Sequence, residues 1–406
     1  MTAEEAIALF DTLAPGFAED PYPHYARVRE VAPVFHSPWG YWLLSRYDDV
    51  VDVLRGPVSV EPWRAGDSPI VQARAVADYA DTEQRVSMLQ RDAPDHTRLR
   101  RLVSQAFTPR AVQRLESRIR ALVEASLDDL AQRGTVDLVS DYALPLPLRV
   151  ISDMLGWPQA DMTRLRELIT LLTESIEFTL DPDKLRAFAV ARDEMRALTA
   201  EIVAWKRDHP GDDLITRLLA AEYAGDVLSE QELVEQVILL YSAGHETTSH
   251  LISSSALALM DRPDQADLLR RQEDLDANAV EELLRYGGSL HVTVRITIEP
   301  YEVHDTVIPP GSLLLVGLAA ANRDPDQWGA DAEELKLDRV NAREHVAFGS
   351  GIHHCLGAAL ARLEGRIAIP ALMRRFPAMA PDGPAQWNGR TTLRGLQSLP
   401  VNLTGR

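Results

Sequence analysis

The sequence predicts a mainly α-helical globular protein with small β-sheets. Three observations carry this. A capping box, Ser229-Glu230-Gln231-Glu232, opens a run of helical spacing that lasts to about Met260, where Asp261-Arg262-Pro263 stops it. The segment Asp276 to Tyr286 reads as a helix closed by Gly287-Gly288. A further helix-forming stretch, Leu356 to Leu363, follows a glycine-rich loop. Periodicity itself goes no further than helix-rich with some strands.

Composition bounds the function. With 406 residues, 46% hydrophobic and 25% charged, the chain has ample core-forming capacity. It shows no Ser/Gly-rich run, low-complexity tract or repeat, so residues 1–406 are expected to form a single domain despite their number. A single cysteine, Cys355, allows no internal disulfide and suits a reducing cytoplasm. Met1 to Asp20 carries Glu4, Glu5, Asp11 and Glu19 and no basic region, so no signal peptide or membrane anchor is expected. Apolar runs such as Leu313 to Ala321 fall short of the ~18 residues a membrane span needs, so a soluble protein with no membrane partner is expected. A formal charge of −19 argues against nucleic acid, because phosphate binding needs a basic face.

Taken in chain order, Asp95-His96-Thr97-Arg98-Leu99-Arg100 begins a helix with His96 and Arg100 on one face at i,i+4; alone they are as readily a solvated basic face. The long helix places Leu233, Val237, Leu240, Gly244, Thr247, Leu251 and Ala258 on one stripe. Gly244 interrupts it at about 1 kcal/mol relative to alanine, and close helix packing at a small-residue patch is the plainest reason. In the next helix both Glu281 and Glu282 can reach Arg285, and helix physics favours a surface Glu281–Arg285 pair worth a few tenths of a kcal/mol. Then comes Phe348-Gly349-Ser350-Gly351-Ile352-His353-His354-Cys355-Leu356-Gly357. Gly349 and Gly351 allow tight turns, Gly357 allows close approach to a flat object, and a sulfur at a helix N-terminus is expected to favour thiolate. A thiolate so presented can bind iron, and a spectator cysteine needs no such pattern.

The pattern F-G-x-G-x-H-x-C-x-G at Phe348, Gly349, Gly351, His353, Cys355 and Gly357 resembles the haem-binding loop of cytochromes P450, in their soluble bacterial class. The resemblance implies the P450 fold, a triangular prism with a helix-rich domain and a smaller β-rich region. It implies haem b with Cys355 as the axial iron ligand. Ala243-Gly244-His245-Glu246-Thr247-Thr248 is similar to the family's A-G-x-[D/E]-T-T segment, which passes over the open haem face with a local distortion. There Ala243 and Gly244 adjoin the haem, Gly244 leaves room for oxygen and substrate, Thr247 hydrogen-bonds oxygen, and Glu246 helps deliver protons. The family's E-x-x-R pattern selects Glu282 with Arg285 as a buried structural pair completed by Arg339, although Asp331-Ala332-Glu333-Glu334-Leu335 departs from the usual approach to that arginine. His96, Arg100, Arg295 and His353 match contacts to the two haem propionates. Asp20-Pro21-Tyr22-Pro23, Ala321 to Pro325 and Arg394 to Val401 extend the resemblance over most of the chain.

By family region, the substrate pocket is expected to take Met88, Leu89, Phe178, Thr179, Leu240, Ala243, Leu290, His291, Val292, Leu396 and Gln397, with His291 orienting a substrate oxygen. Most are apolar, which points to a hydrophobic small molecule. Gly287-Gly288-Ser289 lacks the proline common there in relatives. No flavin or nicotinamide motif accompanies the haem segments, so electrons from NAD(P)H are expected through a separate ferredoxin and ferredoxin reductase, docking on Arg98, Arg101 and Arg362. The resemblance implies a monomeric monooxygenase using O2 to hydroxylate or epoxidise a natural-product scaffold (macrolide, terpenoid, steroid-like or aromatic). The alternatives are a peroxide-driven peroxygenase, disfavoured by the Glu246-Thr247 pair, and a non-catalytic haem-binding sensor, disfavoured because no effector segment is fused.

Overall fold

The computed structural model describes residues 3–12, 14–66, 87–158, 162–177, 181–223 and 225–404. Its N-terminal part supplies α1 (Tyr22–Val31), β1 (Val34–His36), β2 (Tyr41–Leu44), a short helix Tyr47–Arg55 and β3 (Val58–Ser59). Far along the chain, β4 (Val292–Thr297) and β5 (Leu313–Gly317) join them in a mixed sheet ordered β1-β2-β5-β4-β3. β5 runs parallel to β2 and antiparallel to β4, with Leu314 opposite both Trp42 and Arg295. Successive side chains on a strand point to opposite faces. Leu43, Leu313, Leu315 and Ile296 therefore pack with Tyr25 and Val28 of α1, while Leu44, Leu314 and Val316 pack with Val50, Val53 and Leu54 of the short helix.

The helical body comprises α2 (Asp95–Ala106), α3 (Glu116–Leu130), α4 (Pro145–Leu155), α5 (Met162–Glu174), α6 (Pro182–Asp208), α7 (Glu230–Met260), α8 (Asp276–Gly287) and α9 (Ala358–Arg375). The expected capping box is formed: Glu232 N donates to Ser229 Oγ and Ser229 N to a Glu232 carboxylate oxygen. At 31 residues α7 is about 46 Å long. It packs against α4, α5, α6, α8 and α9, and its apolar residues share one core cluster with theirs. A hairpin of Gln386–Trp387 and Leu396–Ser398 frames a turn over residues 388–395, next to Pro400–Asn402, which pairs with Thr135–Asp137. Among the described residues no helix is long and apolar enough to cross a membrane.

Candidate functional site

The loop before α9 is held by its backbone. Cys355 N donates to Phe348 O at 2.9 Å and Gly349 N to Val346 O at 2.8 Å. Gly349 and Gly351 have φ of +65° and +70°, and a Cβ on Gly351 would stand 2.3 Å from Leu54 O, so no side chain fits there. The Arg362 guanidinium lies 4.6 Å from the Phe348 ring centre, fixing that ring beside the cysteine. The Cys355 side chain is accessible, yet burial pushes its thiol up, outweighing the Gly357 and Ala358 amides and the charges of Arg100 and Arg362. Both hold for a sulfur that protein atoms surround closely without covering. Before a metal binds, desolvation therefore opposes and exceeds the thiolate preference that the helix end supplies. A bound metal cation reverses that balance, since a coordinating thiol loses its proton outright.

Three elements bring four nitrogen side chains to the same place. The rings of His96, on α2, and His353, in the loop, lie 4.1 Å apart. Among the described residues neither nitrogen of His96 has a hydrogen-bond partner, nor does His353 Nε2. Burial, then His96, Arg295 and Arg100, hold His353 down at about 3. Burial lowers Arg295, on β4, to about 10, partly opposed by Asp92. Arg295 Nη1 donates to Val294 O and Thr293 Oγ1, and Arg100 Nη2 to His354 O. Asp92 is itself engaged by Ser59 Oγ and Val60 N. Clustered cationic and imidazole groups that repel one another, with three buried ring nitrogens unpartnered among the described residues, make an anion site. Haem fits these residues: a soft sulfur donor, orphaned nitrogens for two carboxylates, and Gly357, where a methyl group would stand 3.8 Å from Sγ.

The remaining candidate residues lie on α7. Ala243 is exposed, Thr247 is half-buried, and Thr247 Oγ1 donates to Ala243 O at 2.8 Å. The helix runs unbroken as α through this segment, with no interruption at the expected distortion, and the threonine hydroxyl makes an added bond to the carbonyl four residues back. Gly244 is a second correction. A Cβ there would meet Ile151 Cδ1 of α4 at 3.0 Å, so the space it leaves is taken by a neighbouring helix, not by oxygen or substrate. Glu246 is buried, its Oε1 accepting from Arg390 Nη1 at 2.8 Å and lying 3.5 Å from His250 Nε2. Burial pushes Glu246 up, but His250, Arg390 and Thr173 outweigh it and hold it at about 2.

The buried pair beneath the loop is Glu282–Arg285, at 2.7 Å through both carboxylate oxygens, with Arg339 Nε at 3.2 Å. Glu281 instead accepts from Arg362 and meets His345 Nε2 at 3.1 Å. Of the substrate-wall residues, Met88, Leu240 and Leu396 belong to the main core cluster, Val292 is buried, Leu290 bridges to Leu393, and Leu89 and Gln397 are exposed. Phe178 and Thr179 lie outside the described residues. His291 is corrected: it is buried, hydrogen-bonded to the Tyr25 hydroxyl at 3.3 Å, and desolvation lowers its pKa, which makes it a core histidine. Arg98 is corrected too, because Asp226 and Glu232 already neutralise it. Arg101 is exposed, whereas Arg362 joins Arg55 and Arg343 around a recess of about 400 Å³ beside the loop. Arg390, Glu174 and Glu177 carry no periodic or motif signal in the sequence.

Comparison with known proteins identifies the family. The family model described as cytochrome P450 matches residues 67–395. The chain is 41% identical to cytochrome P450 107B1 of Saccharopolyspora erythraea, covering 95% of each. It is 38% identical to cytochrome P450 monooxygenase PikC of Streptomyces venezuelae, covering 98% of this chain and 95% of that one. The solved structure of the bacillaene polyketide synthase cytochrome P450 PksS of Bacillus subtilis superposes with a TM-score of 0.87 at 35% identity, covering 97% of this chain and 99% of that one.

Proposed function

The chain belongs to the cytochrome P450 family, and we propose that it inserts one oxygen atom from O2 into a hydrophobic natural-product scaffold by hydroxylation or epoxidation. The observation that carries this is the cluster of His96, Arg100, Arg295 and His353 near the accessible Cys355 sulfur, in which three buried imidazole nitrogens have no partner among the described residues. Cys355 Sγ would ligate the haem iron, the four nitrogen side chains would take the propionates, and Phe348, Gly349, Gly357 and Ala243 would border the ring. Bound haem supplies the redox chemistry that activates dioxygen. Per turnover, two electrons and two protons convert O2 and a substrate C–H bond into an alcohol and water, so protons must reach a site that excludes bulk solvent. Thr247 Oγ1, free to exchange its carbonyl partner for oxygen, would donate there, and Glu246 would resupply it. Met88, Leu240, Leu290, Val292 and Leu396 give the neighbourhood an apolar character that favours a hydrophobic substrate.

Residues 1–406 are proposed as one catalytic domain, monomeric and cytoplasmic, drawing electrons from NAD(P)H through a separate ferredoxin reductase and ferredoxin. The recess lined by Arg55 and Arg343 is the docking surface we favour, because Arg98 is paired with Asp226 and Glu232 and Arg362 with Glu281.

Titration with a library of hydrophobic compounds, read as a haem spin-state shift, followed by turnover under 18O-labelled dioxygen, tests the function. One labelled oxygen per product is expected, and label arriving only from peroxide would overturn it. Thr247→Ala is expected to uncouple the enzyme, with most electrons lost to peroxide or water; full coupling would remove Thr247 from the relay. Arg295→Ala is expected to speed haem loss to an acceptor protein severalfold while leaving the apoprotein no less stable, because a buried guanidinium with little neutralisation is removed. Unchanged retention would exclude Arg295 as a haem contact.

A further inference from the structure

The two oxygens of Glu246 are treated differently. Oε1 is held by Arg390, whereas Oε2 is buried and, although Thr173 is near, makes no hydrogen bond of ordinary geometry among the described residues. A buried carboxylate oxygen without a partner is costly and rare, and calls for a use. Arg390 is itself fixed from three sides. Its Nη2 donates to Glu174 Oε1 at the end of α5, at 3.1 Å, and its backbone N donates to Asn388 Oδ1. Beyond it, Glu177 accepts from the backbone N–H groups of Thr391, Thr392 and Leu393 and from Thr391 Oγ1, clamping the turn that carries Arg390. A guanidinium already ordered at both ends spends little further entropy to orient a carboxylate.

We propose that Arg390 is a positioning residue for Glu246, fixing the carboxylate through Oε1 so that Oε2 stays free to take up and hand on protons toward Thr247. The turn over 388–395 thereby becomes part of the proton-delivery apparatus, although it lies 144 residues from Glu246 in the chain. This rests on the monooxygenase reading above, with Glu246 as the relay acid.

The experiment uses the haem-loaded enzyme. Arg390→Ala is expected to slow product formation about tenfold at saturating substrate and reductant, with substrate affinity from the spin-state titration changed less than twofold. Arg390→Lys, which keeps a cation for Oε1, is expected to recover at least half of the rate. Should the alanine variant not fold, Arg390→Gln takes its place. A wild-type rate, or a slow rate that lysine does not relieve, overturns the proposal. Infrared difference spectroscopy, with Glu246→Gln identifying the band, reads the carboxylate without turnover; its stretch is expected to shift in Arg390→Ala, and an unshifted band also overturns it. Glu246→Gln separates the two levels of argument. If it is slow while Arg390→Ala is not, only the positioning role fails; if it too is unaffected, the relay reading itself falls.

Discussion

Replacing Cys355 with serine is expected to abolish monooxygenation while leaving the fold in place. The loop around position 355 takes its shape from Cys355 N to Phe348 O, Gly349 N to Val346 O and the left-handed glycines 349 and 351, none of which involves the sulfur. Serine is nearly isosteric at an accessible position, so apoprotein stability should change by no more than about 1 kcal/mol. The chemistry, by contrast, depends on the donor atom. A hydroxyl is harder, far less acidic and a poorer ligand for iron than a thiolate. Burial already disfavours the anion at this position, so the metal must supply the stabilisation, and it can do so for sulfur far more readily than for oxygen. The reduced carbon monoxide spectrum of the wild-type enzyme should carry the thiolate signature, and the serine variant should lose it together with product formation. Retained activity in a serine variant with an intact circular dichroism spectrum would sink the assignment of Cys355.

The parts of the site that were legible in the sequence are those with local grammar. The glycine pattern around Cys355 was readable because backbone constraints at Gly351 act within the loop and against one neighbouring carbonyl. The start of α7 was readable because a capping box is closed within four residues. What depends on distant partners was not. Gly244 looked the same whether it made room for oxygen or for Ile151, and only the packing of α4 decides between them. His291 looked like a polar group in an apolar wall, but its partner Tyr25 lies 266 residues away. Arg390 had no signature at all, since an ion pair between a turn and a helix obeys no period. At Cys355 the sequence showed the helix end but not the burial that outweighs it.

Arg285→Ala is expected to be the most destabilising substitution, and more so than Glu282→Gln. The Arg285 side chain is fully buried and makes five hydrogen bonds: two to Glu282 and one each to the carbonyls of Asn322, Ala332 and Glu334. Its loss leaves Glu282 with only Arg339 and the Lys336 amide, and breaking a buried pair in this way costs about 3–5 kcal/mol. The orphaned carbonyls add to that at about 1–3 kcal/mol each before relaxation or water entry reduces it. Against a total stability of about 5–15 kcal/mol, most of the variant should be unfolded or insoluble. Glu282→Gln also leaves cations under-neutralised, but Arg285 keeps its three carbonyl partners and Arg339 keeps Asp331, so part of the network survives. The damage should reach the haem loop. Arg285 holds the Asn322 carbonyl, and the Asn322 side chain in turn accepts from Val346 N at the entrance to the loop. Urea unfolding of the two variants, with haem content measured on the soluble fraction, checks the order. Equal stability would show that the ion pair alone matters, and normal haem content in a destabilised Arg285→Ala protein would show that the network does not extend to Cys355.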